Sequence, residues 1–193
     1  MDGKTHRKKQ QLLQALYRHC AANGMSELKS STSVARILQI KRPLFYFYFE
    51  DLDACINALI NYHMQVIDRA FEEVTRARLS FIEYVHYLVD IGDLYFFSIQ
   101  CMRYQSQYAG FLACMEHSLT TLDAYNFEQF VVYYGLEGYP EESMRFMYSS
   151  FREYWWTHSG EYENWGHDKV DELVAHVDAL VELLKGEAMT SPS

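Results

Sequence analysis

The stretch Lys41-Arg42-Pro43-Leu44-Phe45-Tyr46-Phe47-Tyr48-Phe49-Glu50-Asp51-Leu52-Asp53 decides how this chain is read. Two cations and a proline open it, five consecutive aromatic residues fill it, and acids close it. Pro43 is tolerated in the first turn of a helix, where its missing N–H would have no partner anyway. Consecutive helical residues point about 100° apart, so five adjacent rings cannot all face one core. Some of Phe45, Tyr46, Phe47, Tyr48 and Phe49 must therefore face outward. Rings exposed beside Lys41 and Arg42 suit a surface that meets a phosphate-bearing partner.

The upstream residues make that expectation specific. Ser30-Ser31-Thr32-Ser33 offers hydroxyls for an N-cap, and Val34-Ala35-Arg36-Ile37-Leu38 continues it as a short apolar segment. Before it, Leu13, Leu16, Tyr17 and Cys20 recur at helical spacing, and Asn23-Gly24 is a helix C-terminal signal. Helix, short helix, tight turn and second short helix is the helix-turn-helix order. Ser30, Ser31 and Thr32 at a helix start can offer hydroxyls and backbone N–H groups to phosphate. Lys41 and Arg42 open the recognition helix, whose first residues enter the major groove, and Arg42 is the expected guanine contact. Phe45 and Phe49, four apart, fit its buried side.

This order of residues resembles the N-terminal pattern of the tetracycline-repressor (TetR) family of transcriptional regulators. The residues that carry the resemblance are Leu12-Leu13, Ala15, Gly24, Ser30-Ser31, Val34-Ala35, Ile40 and Phe45-Tyr46-Phe47-Tyr48-Phe49-Glu50-Asp51, about the first quarter of the chain. The resemblance implies an all-α protein, with a helix-turn-helix DNA-binding domain over residues 1–50 and a helical ligand-binding and dimerisation domain over 51–193. It implies that Tyr46, and the position of Tyr48, contact backbone phosphate, with Pro43 and Phe47 completing the DNA-contacting set. Two positions depart from the family pattern: Gln39 replaces the turn glycine, where a left-handed backbone would be strained, and Leu52 replaces a lysine that touches phosphate. They motivate a second reading, a TetR-like protein without direct operator binding that acts through a protein partner.

The overall charge of −9 argues alone against a nucleic-acid partner, but its distribution does not. Residues 1–50 carry nine cations and three acids, a net +6, whereas the remainder carries −15. A basic head on an acidic body confines attraction for a polyanion to one end. His6-Arg7-Lys8-Lys9 reads as part of a tail over residues 1–9 that reaches phosphate or is simply solvated. With no run near 18 apolar residues and no apolar stretch after the basic start, neither a membrane span nor a signal peptide is expected. Cys20, Cys55, Cys101 and Cys114 form no CxxC pair and read as free core thiols in a reduced cytoplasm.

Downstream, Asp51 is suited to cap a helix whose stripe runs Leu52, Cys55, Ile56, Leu59, Ile60, Met64, Ile67 and Phe71 to about Val74. In the resembled family this helix links the DNA head to the regulatory body. Helices are expected near 79–97, 100–115 and 118–135. Their aromatic density suggests an organic-ligand cavity formed by His86, Phe97, Met102, Tyr104, Tyr108, Phe111, Met115, Tyr125 and Phe130, although such stripes also build plain cores. Gly135 to Pro140 is a break. Two amphipathic segments follow, with Met147, Phe151, Tyr154 and Trp155 on the first and Val170, Leu173, Val174, Val177, Leu180, Val181 and Leu184 on the second. The resemblance implies that these two pair with their counterparts in a homodimer. Thr157 to His167 reads as a loop, and the chain after Lys185-Gly186 as disordered.

An enzyme is the competing class. Glu83-Tyr84-Val85-His86 has the Glu-x-x-His spacing of a di-iron bundle, but Glu172 to His176 is one residue too long for the second motif. There is no HExxH, phosphate-binding glycine loop or serine-nucleophile motif. The expectation is a non-enzymatic regulator without a metal or cofactor. Its partners would be a double-stranded DNA operator, a second copy of itself and an unidentified small-molecule effector.

Overall fold

The computed structural model describes residues 3–107 and 109–190. Among them the chain is helical, with no strand. The helices are α1 (Gly3–Asn23), α2 (Ser31–Ile37), α3 (Arg42–Tyr48), α4 (Leu52–Ala77), α5 (Phe81–Asp90), α6 (Gly92–Tyr104), α7 (Ala109–Ser118), α8 (Ala124–Tyr133), α9 (Glu141–His158) and α10 (His167–Thr190). A π-helical turn, Leu119–Asp123, joins α7 to α8, and a 3-10 turn, Tyr162–Asn164, lies between α9 and α10. The chain forms two compact units, one of residues 1–71 and 93–119, the other of residues 72–92 and 120–193. No helix among the described residues is long and apolar enough to cross a membrane.

Local chemistry sets several helix ends. Gly24 takes φ +82°, and its N–H donates to the Cys20 carbonyl at 2.9 Å, closing α1. Ser30 caps α2 by accepting from the Ser33 N–H, and the Ser33 hydroxyl returns a bond to the Ser30 backbone. Asp51 Oδ1 accepts from the Ala54 N–H at 2.7 Å and caps α4. Ser80 and Glu83 form a second capping box on α5, so Glu83 of the Glu-x-x-His spacing holds a helix end.

Four expected boundaries are corrected. The predicted tail at residues 1–9 is helical from Gly3, and Lys9 Nζ lies 5.1 Å from the centre of the Phe49 ring. The segment expected over 79–97 breaks at Ile91; a Cβ on Gly92 would come within 3.3 Å of the Trp165 ring, a close approach that glycine permits. The segment expected over 100–115 breaks between Tyr104 and Ala109. Gly110 then lets α7 approach α4, since a Cβ there would lie 2.6 Å from Ile60 Cδ1. The chain expected to be disordered after Gly186 continues α10 to Thr190.

Within the first unit, Leu12, Leu13, Leu16, Tyr17 and Cys20 of α1 are buried, as are Ile56, Leu59 and Ile60 of α4. The Tyr17 ring stacks on Phe97 at 4.3 Å. In the second unit α8 packs on α5 and α9, and α10 on α5 and α9. Phe130 makes ring contacts with Phe81, Tyr134, Tyr148 and Phe151 at 4.7 to 5.4 Å. Apolar area removed from water, at about 25 cal/mol per Å², is the main term holding such clusters together.

Candidate nucleic-acid interface

The α2–α3 turn is built from backbone bonds, with Gln39 N–H donating to Arg36 O at 3.0 Å and Ile40 N–H to Ala35 O at 2.9 Å. Gln39 adopts φ +53°, the left-handed conformation that the family's glycine would take without a Cβ penalty. The turn is thus kept and strained. Lys41 stands at the N-cap of α3, and Pro43 occupies its first turn, where no intrahelical N–H is needed. Phe45 and Phe49 are 0% and 2% exposed, four residues apart, and fasten α3 to the head.

Burying that edge turns the rest of the helix outward. Lys41, Arg42, Pro43, Leu44, Tyr46 and Phe47 are all exposed, and Tyr48 is half-buried against Phe47 at 5.0 Å. Two rows result, one helical turn long. In the polar row, Arg42 donates from Nη2 to the Tyr46 hydroxyl oxygen at 3.2 Å, and its guanidinium lies 5.6 Å from the Tyr46 ring centre. Hydrogen bonds from Arg42 and then Ser31 hold the Tyr46 phenol below the usual tyrosine range. Ser31 from the start of α2 thus lies beside Tyr46 of α3, which brings three expected DNA-contacting residues, Ser31, Arg42 and Tyr46, to one side of the head. The apolar row is Pro43, Leu44 and Phe47.

Other head residues have local duties. Ser30 is engaged as the α2 cap, while Thr32 is exposed in the first turn. Arg36 faces Glu27 at 3.7 Å and Arg18 meets Asp93 at 3.1 Å, which tempers their charge as surface pairs do. Leu44, 40% exposed, belongs to the outward face although sequence reasoning did not single it out. The signal was available: it lies three residues from Phe47 on one side of the helix.

The expected ligand-lining residues fall in both units, and neither unit contains them all. Phe97 and Phe111 are fully buried in the first, where Met102 and Tyr104 are half-buried. Tyr108 and the Met115 side chain lie outside the described residues. In the second, Phe130 is fully buried and the Tyr125 hydroxyl donates to Leu79 O at 2.8 Å. His86 Nδ1 faces His167 Nδ1 at 3.1 Å, and its Nε2 lies 3.2 Å from Asp171. Both contacts are satisfied when His86 Nε2–H donates to Asp171 and His167 Nδ1–H donates to His86.

The second unit also carries a polar group beside its aromatic cluster. Asp123, at the end of the π-helical turn, accepts from the Tyr148 hydroxyl at 2.7 Å and from Arg152 at 3.0 Å. Burial and the Asp123 carboxylate push the Tyr148 phenol well up. Burial pushes the Tyr84 phenol up to about 12 against an opposing effect of Asn126, while Asn126 Oδ1 and Trp155 Nε1 are buried without a hydrogen-bond partner among the described residues. Sequence reasoning missed these polar groups, because only the fold brings α5, α8 and α9 together.

The residues expected to meet a second subunit divide by exposure. Met147, Phe151, Trp155, Val170, Leu173, Val174, Val177 and Val181 are buried within the single chain, whereas Tyr154, Leu180 and Leu184 are partly exposed. The seam read from periodicity largely serves the chain's own α9–α10 packing. Phe146 and Leu183, which that reading omitted, are the exposed large apolar residues of these two helices among the described side chains.

No protein-family model and no curated protein matches the sequence. A solved structure does match in shape: that of a Rhodococcus sp. protein named as a candidate TetR-family transcriptional regulator. The match covers 90% of this chain and 98% of that chain, with a TM-score of 0.55 and 14% identity. At such identity the likeness lies in the fold. The chain accordingly has the all-helical fold of that TetR-family regulator, with a helix-turn-helix at its N-terminal end and a helical body after it.

Proposed function

We propose that this protein is a TetR-type transcriptional regulator, a non-enzymatic homodimer that binds a palindromic DNA operator and changes affinity when a small organic effector binds its body. The observation that carries the reading is the Arg42–Tyr46 pair on the exposed face of α3, with Ser31 of α2 beside Tyr46, within a head of net charge +6. A guanidinium and a phenol one turn apart on α3, with a hydroxyl from the start of α2 beside the phenol, are suited to phosphate and base edges. Residues 1–50 would form the reading head, with Ser30, Thr32, Lys41, Pro43, Phe47 and Tyr48 around that cluster. Two heads would place their α3 helices in successive major grooves.

The effector reading is supported in the second unit by the two buried polar atoms without a partner, Asn126 Oδ1 and Trp155 Nε1, beside the Phe130 cluster. A ligand offering an apolar body, one donor and one acceptor would satisfy both. It would act on DNA binding only by its difference in affinity between two states. Dimerisation would use the partly exposed side of α9 and α10, with Phe146, Tyr154, Leu180, Leu183 and Leu184.

The second reading, a regulator acting through a protein partner, is favoured by Leu52 where the family has a phosphate-touching lysine. Binding of the purified protein to duplexes from upstream of its own gene, across a salt series, separates the two. Operator binding predicts sequence-dependent affinity and a log–log salt slope of about −0.9 per neutralised phosphate. Weak binding that ignores sequence would overturn the first reading.

A further inference from the structure

The apolar row of α3 is unexplained by a phosphate grip. Phe47 is 61% exposed and Leu44 40%, on a helix whose Phe45 and Phe49 already fasten it to the head. Phe47 in particular leaves most of its ring in solvent, with Tyr48 as its aromatic neighbour. A solvated aromatic ring of this size, beside a second apolar side chain and next to two cations, marks a surface that is covered in use. The charge says by what. Lys41 and Arg42 border the row within a +6 head, so the covering partner is a polyanion that also presents apolar groups.

In the major groove of DNA one group fits that description, the 5-methyl of thymine, which lies beside base-edge acceptors and between phosphate rows. The division of α3 into two rows matches the division of the groove: Arg42 and Tyr46 lie on the side shared with Ser31, and Pro43, Leu44 and Phe47 project farthest from the buried edge. We infer that Leu44 and Phe47 are specificity-determining residues that select thymine by packing against its 5-methyl group. Each half-site of the operator then contains at least one thymine under Phe47. This rests on the operator-binding reading and adds the chemical feature that is read.

The test uses the full-length protein and duplexes it enriches from a random-sequence pool. Each thymine of the enriched site is replaced in turn by deoxyuridine, which deletes only the methyl group and leaves base pairing unchanged. One buried methyl at about 0.8 kcal/mol corresponds to an affinity loss of about fourfold, and of about 15-fold when both half-sites are substituted. The wild-type protein should show that loss at one or two thymines per half-site. Phe47→Ala should bind more weakly and no longer distinguish thymine from deoxyuridine at that position, with Leu44→Ala doing the same at the same or an adjacent thymine. The duplex substitution needs no protein variant, so it is read even if a variant folds poorly. Sequence-specific binding indifferent to every methyl would overturn the inference and leave the regulator reading standing. Failure to enrich any duplex would overturn both, and would turn the apolar row into a surface for a protein.

Discussion

Along α3 and its C-cap five aromatic residues follow one another, and only Phe45 and Phe49 are buried; in α5, α8 and α9 the rings of Phe81, Phe130, Phe151 and Trp155 are spread along helices, and all are buried. The two regions use the same side chains for opposite purposes. The second arrangement follows helical periodicity, so each ring meets others across the helix interfaces of one unit. The first defies periodicity, so the helix must show rings to solvent, and it shows them beside Lys41 and Arg42. A third group, Tyr17, His63 and Phe97 in the first unit, behaves like the second and adds a titratable ring to the core.

The largest effects should come from the buried groups. Phe130→Ala removes a fully buried ring with four aromatic neighbours and should lower unfolding stability by about 3–5 kcal/mol in urea titration. A loss under about 1 kcal/mol would mean that the cluster is loosely packed and open to a ligand. Comparable in size is the acid response of His63, whose folded-state pKa is pushed down to about 3 from 6.5 by burial first and by His117 second. Because the folded value is depressed, the unfolded chain takes up the proton first as pH falls. His63 therefore favours the folded state fully above pH 6.5, and that contribution declines toward pH 3 by an amount on the order of 4 kcal/mol. Urea midpoints measured from pH 7 to pH 4 should fall more steeply for the wild type than for His63→Gln. Parallel curves would place the acid sensitivity elsewhere.

The contrast within α3 is sharper because two neighbouring rings are compared. Phe45→Ala should cost about 3–5 kcal/mol of stability, whereas Phe47→Ala should stay within about 0.5 kcal/mol of wild type. Similar losses for both would show that the outward row is structural. Arg42→Ala should leave folding alone and weaken a specific duplex by about 1–3 kcal/mol if the arginine reads a base. A uniform loss across sequences, with a salt slope smaller by about one, would assign it to phosphate instead. The smallest effect is expected at the turn: Gln39→Gly should stabilise the head by about 0.5–1 kcal/mol by relieving the left-handed backbone. A destabilised variant would show that the Gln39 side chain has a role that outweighs the strain.

Local signals made much of the head legible. Gly24, the Ser30 cap and Asp51 mark helix ends by chemistry that acts over three or four residues, and each does so here. The tail at residues 1–9 was misread because its lysines and arginines look like a solvated run, although they are also good helix formers and Lys9 reaches Phe49. The break at Ile91 has no local signal of its own, and the ring that closes on the adjacent Gly92, Trp165, comes from more than seventy residues away in the chain.

What the sequence by itself determined is what depends on neighbours along the chain: the helical class, the turn positions, the basic head, and the necessity that some rings of residues 45–49 face outward. Only the tertiary structure decided which partner each helix face meets. Periodicity shows that Val170, Leu173, Val177 and Val181 form an apolar stripe, but an apolar stripe is equally satisfied by a second subunit or by α9 and α5 of the same chain. Here the same chain covers it. The approach of Ser31 on α2 to Tyr46 on α3 is tertiary for the same reason, since the distance between two helices depends on the angle of the turn that joins them. That angle rests on Gln39, a residue whose own preference opposes it.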